Sequence, residues 1–382
     1  MLIVSSLPED WQQAFLIGRI AKPEGPAIIL VRHGQVTDIT SVAATTAAAL
    51  AMPDLFDARG EDMGAVDTLE FAPVWSDEPG IRLLSPIDLQ CIKASGVTFA
   101  VSALERVIEE RARGDAAAAA AVREALKARI GGDLKDLRPG SAEAEAVKAS
   151  LIADGLWSQY LEVAIGPHAE IFTKAPILSS VGWGAQVGVR SDSAWNNPEP
   201  EVVIVCDPAG KAVGATLGND VNLRDIEGRS ALLLGKAKDN TASAAVGPFI
   251  RLFDQNFTMD DVRGARVRLE VDGPDGFHME GESPMSLISR DPEELIAQTL
   301  SAHQYPDGFA LYLGTMFAPV EDREAPGQGF THKVGDHVRV SSSRLGVLEN
   351  LVTTCDRADP WTLGVGALMR NLAGRGLLGV SV

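Results

Sequence analysis

The stretch NNPEPEVVIVCDPAGKAVGATLGND, residues 196–220, decides the fold, because it joins an apolar strand to a turn and a second strand. Glu199 and Glu201 open the first strand two residues apart, so both carboxylates project from the same face. Ionised carboxylates are costly to desolvate unless something pairs with them, and an acid pair at a strand end is ordinarily solvated. The alternative is that the two acids share a small cation.

The hairpin decides between these two interpretations. If its turn centres near residues 208–209, the returning strand brings Gly218 beside Glu199 and places Asp220 at the same end of the sheet. Three carboxylates then converge with no Cys or His nearby, and without a cation they would repel one another. Oxygen ligands suit Mg²⁺, with Mn²⁺ or Ca²⁺ as alternatives, whereas Zn²⁺ prefers His or Cys. The pattern therefore predicts a metal site formed by Glu199, Glu201 and Asp220.

Two later segments add candidate site residues. In GKAKDNTASAAVGPF, residues 235–249, Lys238 follows closely after the third acid. A lysine that is partly desolvated beside a cation has its ammonium form disfavoured and could act as a base near neutral pH, whereas the alternative is a surface lysine. In LYLGTMFAP, residues 311–319, Gly314 and Thr315 end an apolar strand, where a backbone amide and a hydroxyl could hold a substrate carboxylate.

Charge and composition argue against several classes of protein. The 382-residue chain is 46% hydrophobic and carries a formal net charge of −18, which argues against nucleic acid or an anionic membrane as a partner. Three cysteines without paired spacing indicate a reducing compartment. The start MLIVSSLPEDWQQ lacks the basic region of a signal peptide, and no stretch approaches the ~18 apolar residues of a membrane span. We therefore expect a cytoplasmic protein.

Helical and strand-like segments are segregated along the chain. Residues 1–85 show short strand patterns and turns, helical patterns run from Ser102 to about residue 165, and strand patterns dominate beyond Glu170. Such segregation indicates an α+β fold rather than a doubly wound sheet. We expect a small β-rich N-terminal domain, residues 1–85, and a catalytic domain, residues 86–382.

The segment LVRHGQ, residues 30–35, contains the Arg-His-Gly triplet of histidine phosphatases. In that family the triplet lies on a strand that feeds a helix, and a second distant His is required. Here QVTDIT follows, which is typical of a returning strand, and His33-Gly34 suits a tight turn. We therefore predict a hairpin and not a phosphohistidine site.

The order of the motifs resembles the fumarylacetoacetate hydrolase (FAH) superfamily over roughly residues 90–355. The matching segments, in chain order, are FTK, NPEPEVVIV, LGNDVNLRDIEG, KAKDNTASAAVGPF, MEGESPM, LGTM and VGDHV. The resemblance implies a mixed β-roll or β-sandwich catalytic domain with a Mg²⁺ or Mn²⁺ site that binds 2-oxo acids. By position, it assigns the metal ligands to Glu199, Glu201 and Asp220 and the active-site lysine to Lys238. It assigns the substrate contacts to Thr241, Thr315 and Lys174.

One departure from the superfamily pattern concerns the lid segment GVTFAVSALE, residues 96–105. Hydrolases and decarboxylases of the superfamily carry a His–Glu dyad there that activates water. Here Ser102 stands in place of the His, and Glu105 is kept, so water attack on a C–C bond loses its general base. The lid resembles instead that of the 2-keto-3-deoxy-pentonate dehydratases, which implies Mg²⁺-dependent conversion of 2-keto-3-deoxy-D-xylonate to 2-oxoglutarate semialdehyde and water.

The resemblance also implies roles for the remaining residues and for partners. Ser102 would orient the substrate, and Glu170 and Glu105 compete as the acid for the hydroxide that leaves C4. The family further implies a homo-oligomer, either a dimer or a tetramer. Two alternatives stay open: another activity of the superfamily, such as acylpyruvate or fumarylacetoacetate-type C–C hydrolysis or oxaloacetate decarboxylation, and a non-catalytic, metal-stabilised binding protein.

Overall fold

Strands dominate the described part of the chain. The computed structural model describes residues 3–100, 103, 107, 137–317, 319, 321–323 and 329–379. The strands are β1 (Phe15–Lys22), β2 (Gly25–Arg32), β3 (Gln35–Asp38), β4 (Glu61–Ala65), β5 (Arg82–Leu84), β6 (Cys91–Gly96), β7 (Glu170–Ala175), β8 (Ala185–Val189), β9 (Pro200–Cys206), β10 (Ala212–Asp220), β11 (Ala244–Leu252), β12 (Arg266–Asp272), β13 (His278–Pro284), β14 (Phe309–Tyr312), β15 (His337–Ser342) and β16 (Gly346–Thr354).

The helices in the described part of the chain are short. They are α1 (Thr46–Leu50), α2 (Ala142–Ala153), α3 (Gln159–Ile165), α4 (Arg224–Glu227), α5 (Leu234–Lys238), α6 (Met259–Arg263), α7 (Pro292–Leu300) and α8 (Val365–Gly374). Short 3-10 helices lie at Ile3–Ser6, Leu55–Asp57, Val66–Thr68, Ala231–Leu233 and Met285–Leu287. No helix in the described residues is long and apolar enough to cross a membrane.

Two mixed sheets carry the fold. Among the described residues, the larger sheet has eleven strands in the order β4-β3-β2-β1-β11-β10-β9-β14-β6-β7, with β5 paired to β1. The smaller sheet has five strands in the order β13-β12-β15-β16-β8. The predicted α+β class is confirmed by this segregation of a few helices from extensive sheets.

Strand β9 lies inside the core and is buried on both faces. Its residues alternate between two hydrophobic clusters: Val202 and Ile204 belong to the cluster shared with the smaller sheet, and Val203 and Val205 to the cluster on the opposite face. Burial on both faces explains why this strand is a continuous apolar run and not an alternating one. The two carboxylates at its start are therefore anchored to a rigid element.

The register of the β9–β10 hairpin differs from the predicted one. Gly218 pairs with Glu201, not with Glu199 as expected. The offset arises because a β-bulge at Val213 and the position of the turn each shift the register by one residue. As a result the backbone N–H of Asp220 donates directly to the carbonyl oxygen of Glu199, at 3.0 Å.

The first strands are part of the larger sheet. Strand β1 pairs along its whole length with β2, and its first residues also pair with β11. The predicted hairpin between β2 and β3 is confirmed: Arg32 pairs with Gln35, and His33 and Gly34 both have positive φ, as a two-residue hairpin turn requires. The division of the chain at residue 85 into two domains stays a prediction.

Helices predicted before the second strand region are present as α2 and α3, and their N-termini are capped by Ser141 and Ser158. Their apolar side chains form a separate cluster with Ala100, Ala103 and Val107. The predicted helical segment around residues 108–129 lies outside the described residues, as do Ser102 and Glu105 of the lid motif.

Candidate metal centre

Three acidic side chains meet at one edge of the larger sheet. Glu199 directly precedes β9, Glu201 is its second residue, and Asp220 ends the neighbouring strand β10. One carboxylate oxygen of each lies within 4.8 Å of the other two. The three residues are only 8%, 3% and 1% exposed. The convergence predicted from the sequence is present, and its cause is the paired register of two adjacent strands.

Each carboxylate has a partner that fixes its orientation. Glu201 Oε2 accepts a hydrogen bond of 2.6 Å from the backbone N–H of Gly314. Glu199 Oε1 accepts from the side-chain amide of Asn222 at 3.0 Å. Asp220 Oδ1 lies 2.8 Å from Lys174 Nζ. Hydrogen-bonded carboxylates keep one geometry, which is what ligation of a metal ion requires.

Burial and mutual repulsion disfavour the ionised form of the two glutamates. The pKa of Glu201 is well above its ordinary value, first because of burial and then because of the charges of Asp220 and Glu199. The pKa of Glu199 is also raised by burial, although the nearby Lys238 opposes the shift. An additional positive charge at this position would relieve both effects.

Lys238 ends helix α5 and points into the acidic cluster. Its Nζ contacts Glu199 Oε2 and lies 3.3 Å from Asp220 Oδ2. Burial lowers its pKa, but the carboxylates of Asp220 and Glu199 together outweigh burial, so the pKa of Lys238 is raised. The acids thus stabilise the ammonium form when no cation is present. The neutral amine expected from the sequence applied to a lysine beside a bound cation, and it stays a prediction.

Lys174 lies beneath the cluster and is fully buried, with 0% of the residue exposed. Its Nζ contacts the backbone oxygens of Val221 and Lys238 as well as Asp220. Burial lowers the pKa of this ammonium group, although Asp220 raises it. The family resemblance assigned Lys174 to substrate binding, and that role stays a prediction. In the structure its ammonium group contacts Asp220 and the backbone carbonyl oxygens that follow Asp220 and end helix α5.

Gly314 and Thr315 follow strand β14 at the same sheet edge. The Gly314 amide donates to Glu201 and is therefore already committed to a protein partner. The hydroxyl of Thr315 accepts from the N–H of Phe317 at 3.1 Å, and Thr315 is half-buried. In the predicted binding pair for a substrate carboxylate, the amide is thus already occupied, whereas the Thr315 hydroxyl keeps its own proton to donate.

The remaining predicted residues lie farther from the acids or outside the described residues. Glu170 begins β7 opposite Gly96, at the same sheet edge, and three strand spacings separate β7 from β9, about 14 Å between backbones. Thr241 is exposed in the turn after α5. Ser102 and Glu105 fall outside the described residues.

Two asparagines beside the cluster escaped the sequence analysis. Asn222 donates to Glu199, and the side-chain oxygen of Asn219 accepts from the Glu199 backbone N–H at 3.2 Å. Both are buried. The signal available in the sequence was that both asparagines flank Asp220 in the segment NDVN. An asparagine next to a strand end is, however, more often part of a turn.

The protein groups at this edge fit a hard divalent cation. All candidate ligand atoms are carboxylate oxygens, and the described residues contain no other group of three potential metal ligands. The three carboxylates outnumber the two amino groups that contact them, those of Lys174 and Lys238. A divalent cation of the Mg²⁺ type matches the oxygen donor set and would offset the repulsion among the carboxylates.

Comparison with known proteins places the chain near two dehydratases. It is 33% identical over 196 residues to 2-dehydro-3-deoxy-D-arabinonate dehydratase of Saccharolobus solfataricus, which is 50% of this chain and 60% of that protein. It is 30% identical over 195 residues to a probable 2-keto-3-deoxyxylonate dehydratase of Haloferax volcanii, covering 51% and 64%. Each match thus spans less than two thirds of the relative's length. No protein-family model matches the chain.

Solved structures share the fold over most of the chain. A structure of 2-keto-3-deoxy-D-arabinonate dehydratase complexed with magnesium and 2,5-dioxopentanoate superposes with a TM-score of 0.63 at 21% identity, covering 89% of this chain and 99% of that one. A fumarylacetoacetate hydrolase from Exiguobacterium antarcticum superposes with a TM-score of 0.53 at 16% identity, covering 89% and 100%. The predicted resemblance is confirmed: the chain has the fold of fumarylacetoacetate hydrolase, and about half of its sequence is similar to two 2-keto-3-deoxy sugar acid dehydratases.

Proposed function

We propose that the chain catalyses the Mg²⁺-dependent dehydration of 2-keto-3-deoxy-D-xylonate to 2-oxoglutarate semialdehyde and water. The observation that carries this proposal is the buried triad of Glu199, Glu201 and Asp220 with Lys238 in contact with it. The sequence similarity to two dehydratases supports the reaction class. The related structure with magnesium and 2,5-dioxopentanoate, which is the same semialdehyde, supports the choice of metal and product.

The acidic triad is the part of the chain that would hold Mg²⁺. When bound there, the cation would supply Lewis-acid polarisation of the 2-oxo group, which acidifies the hydrogens on C3. Its two charges would also offset the repulsion among the three carboxylates.

Lys238 is the residue that we assign to the proton on C3. It already contacts two of the three acids, so its ammonium form depends on their negative charge. A cation held by the acids would offset the charge that raises the pKa of Lys238, and burial would then favour its neutral amine. As a neutral amine, Lys238 would take the proton from C3 as a general base.

Loss of hydroxide from C4 requires a proton donor on another side of the substrate. Glu170 and Glu105 are our two candidates, and Glu170 lies at the same sheet edge as the acids. With one proton taken from C3 and one given to the leaving hydroxyl, water departs and leaves a double bond between C3 and C4. Transfer of a hydrogen from C5 to C3 and of the C5 hydroxyl proton to C4 then yields the aldehyde. Ser102, Thr241 and Thr315 would orient the substrate.

The decisive test is a substrate panel with the purified chain. We expect semialdehyde from 2-keto-3-deoxy-D-xylonate with Mg²⁺, loss of turnover with EDTA, and recovery when Mg²⁺ is added back. The C4 epimer and the six-carbon homologue measure how strictly the substrate is selected. If no semialdehyde forms and an acylpyruvate is cleaved instead, the protein is a C–C hydrolase, and if no substrate turns over, a binding role is favoured.

A homo-oligomer and a cytoplasmic location complete the proposal. Neither depends on the chemistry of the acidic triad. Sedimentation of the purified chain distinguishes a monomer from a dimer or a tetramer.

A further inference from the structure

Asn222 links the metal-site acid Glu199 to a fourth acid, Glu227. The side-chain nitrogen of Asn222 donates to Glu199 Oε1 at 3.0 Å and to Glu227 Oε2 at 2.7 Å. A primary amide carries two N–H donors, and both are used here. Because an ionised carboxylate only accepts hydrogen bonds, the two acids also fix which end of the amide faces them.

The backbone of Asn222 is held as firmly as its side chain. Its N–H donates to the carbonyl of Asn197, and the N–H of Asn197 donates to the carbonyl of Asn222, each at 3.0 Å. Asn222 is 1% exposed, so water does not compete for its amide. Glu227 ends helix α4 and is half-buried, which places it between the cluster and the surface.

This arrangement divides the two oxygens of Glu199 between different partners. Oε1 is tied to Asn222, whereas Oε2 contacts Lys238 on the side of Asp220. The hydrogen bond to Asn222 thus restrains rotation of the carboxylate, and Oε2 is the oxygen that faces the other acids. Removal of groups that orient a metal ligand typically weakens metal binding 10- to 100-fold.

We propose that Asn222 is a positioning residue that presents Glu199 to the cation through a single oxygen, and that Glu227 holds Asn222 in place. This inference rests on the proposed metal centre, which needs Glu199 as a ligand. It adds two residues that lie outside the predicted ligand set and that act through Glu199. Neither residue touches the substrate in this scheme.

The test is Mn²⁺ affinity, measured by calorimetry and by electron paramagnetic resonance on the full chain. We expect Asn222→Ala to weaken Mn²⁺ binding about 10- to 100-fold. Glu227→Ala should weaken it several-fold, whereas Glu227→Gln keeps an oxygen acceptor for the amide and should stay within about twofold of wild type. This rescue by the conservative variant separates a hydrogen-bonding role from an effect of charge alone.

Asn350 supplies a matched control for the loss of a buried asparagine. It is also 1% exposed, and its amide donates to Gly182 and Ala185 at 3.1 Å in a different part of the fold. Asn350→Ala should lower the melting temperature without changing Mn²⁺ affinity. If Asn222→Ala folds poorly, the two Glu227 variants still decide the question, because Glu227 is half-buried.

Three outcomes would overturn the inference. If wild type and Asn222→Ala bind Mn²⁺ equally, Asn222 does not position the ligand, although the proposed metal centre stands. If Glu227→Gln and Glu227→Ala weaken binding equally, the amide link is wrong and Glu227 acts through its charge. If wild type binds no Mn²⁺, both the metal centre and this inference fail.

Discussion

Gly314 donates its backbone N–H to Glu201 Oε2 at 2.6 Å, so the backbone that follows one strand orients an acid on the next. Glu201 is also the acid whose pKa is raised most clearly by burial and by its neighbours. The hydrogen bond thus stabilises the ionised form against a strongly opposing environment. A change in the position of Gly314 should therefore alter the orientation of Glu201 and the affinity of the metal centre for its cation.

Gly314→Ala should impair both stability and metal binding. Gly314 has a φ of 87°, and a Cβ there would lie 2.2 Å from Thr98 Oγ1. Gly276 has a similar φ of 82° but no heavy atom within 4 Å of an added Cβ, so Gly276→Ala is the matched control. We expect a loss of about 1 kcal/mol for the control, and a larger loss with weaker Mn²⁺ binding for Gly314→Ala. Denaturant unfolding and Mn²⁺ titration measure the two effects, and equal effects would show that only backbone strain matters.

Glu199→Gln should remove metal-dependent turnover. The substitution keeps the size of the side chain and its contact with Asn222, but it removes a charged oxygen ligand. We expect bound metal and dehydration to be lost together, with the melting temperature near that of wild type. Elemental analysis and semialdehyde formation measure the outcome. Intact metal content and activity in this variant would show that the metal assignment is wrong.

Lys238→Met should slow turnover strongly while leaving the metal bound. Lys238 is buried against the acids, whereas Lys236 lies two residues earlier on the same helix and is exposed. Loss of a general base typically costs 10²- to 10⁴-fold in rate, so we expect a fall of about that size in kcat. Lys236→Met should behave as wild type. Retained turnover in Lys238→Met would remove Lys238 from the catalytic role.

Metal affinity should rise with pH. In the folded chain the pKa of Glu201 lies well above its ordinary value of 4.5, so Glu201 holds its proton more tightly than in the unfolded chain. Without a metal, the stability that this proton supplies is present below about pH 4.5 and is lost as the pH rises through the folded pKa. A cation must displace the proton, so it binds more weakly at low pH.

Calorimetric Mn²⁺ titrations from pH 5.5 to 8 should therefore show increasing affinity. Titration in two buffers with different ionisation enthalpies should also reveal proton release on binding. Glu201→Gln is not a suitable control, because it removes a ligand. An affinity that does not change with pH would mean that the acids are already ionised without metal.

The sequence was sufficient to predict the hairpins and to identify the three acids that converge. Apolar runs, turn residues and the hairpin at His33-Gly34 have local causes, and local patterns predict them well. The i, i+2 spacing of Glu199 and Glu201 is likewise a local property of a strand. The register that brings Asp220 opposite Glu199 was predicted two residues out of place, because neither the bulge in the returning strand nor the position of the turn has a clear sequence signal.

The partners of the acids were decided only by the tertiary structure. Lys174, Asn222 and Gly314 come from three separate segments, and each meets a different carboxylate. The direction of the Lys238 pKa shift was also undetermined by the sequence, since it depends on whether burial or the nearby acids dominate. The sequence by itself determined which groups are available and their spacing within one strand. Distances and charges between strands depend on register and packing, and so only the folded chain decided how those groups act on one another.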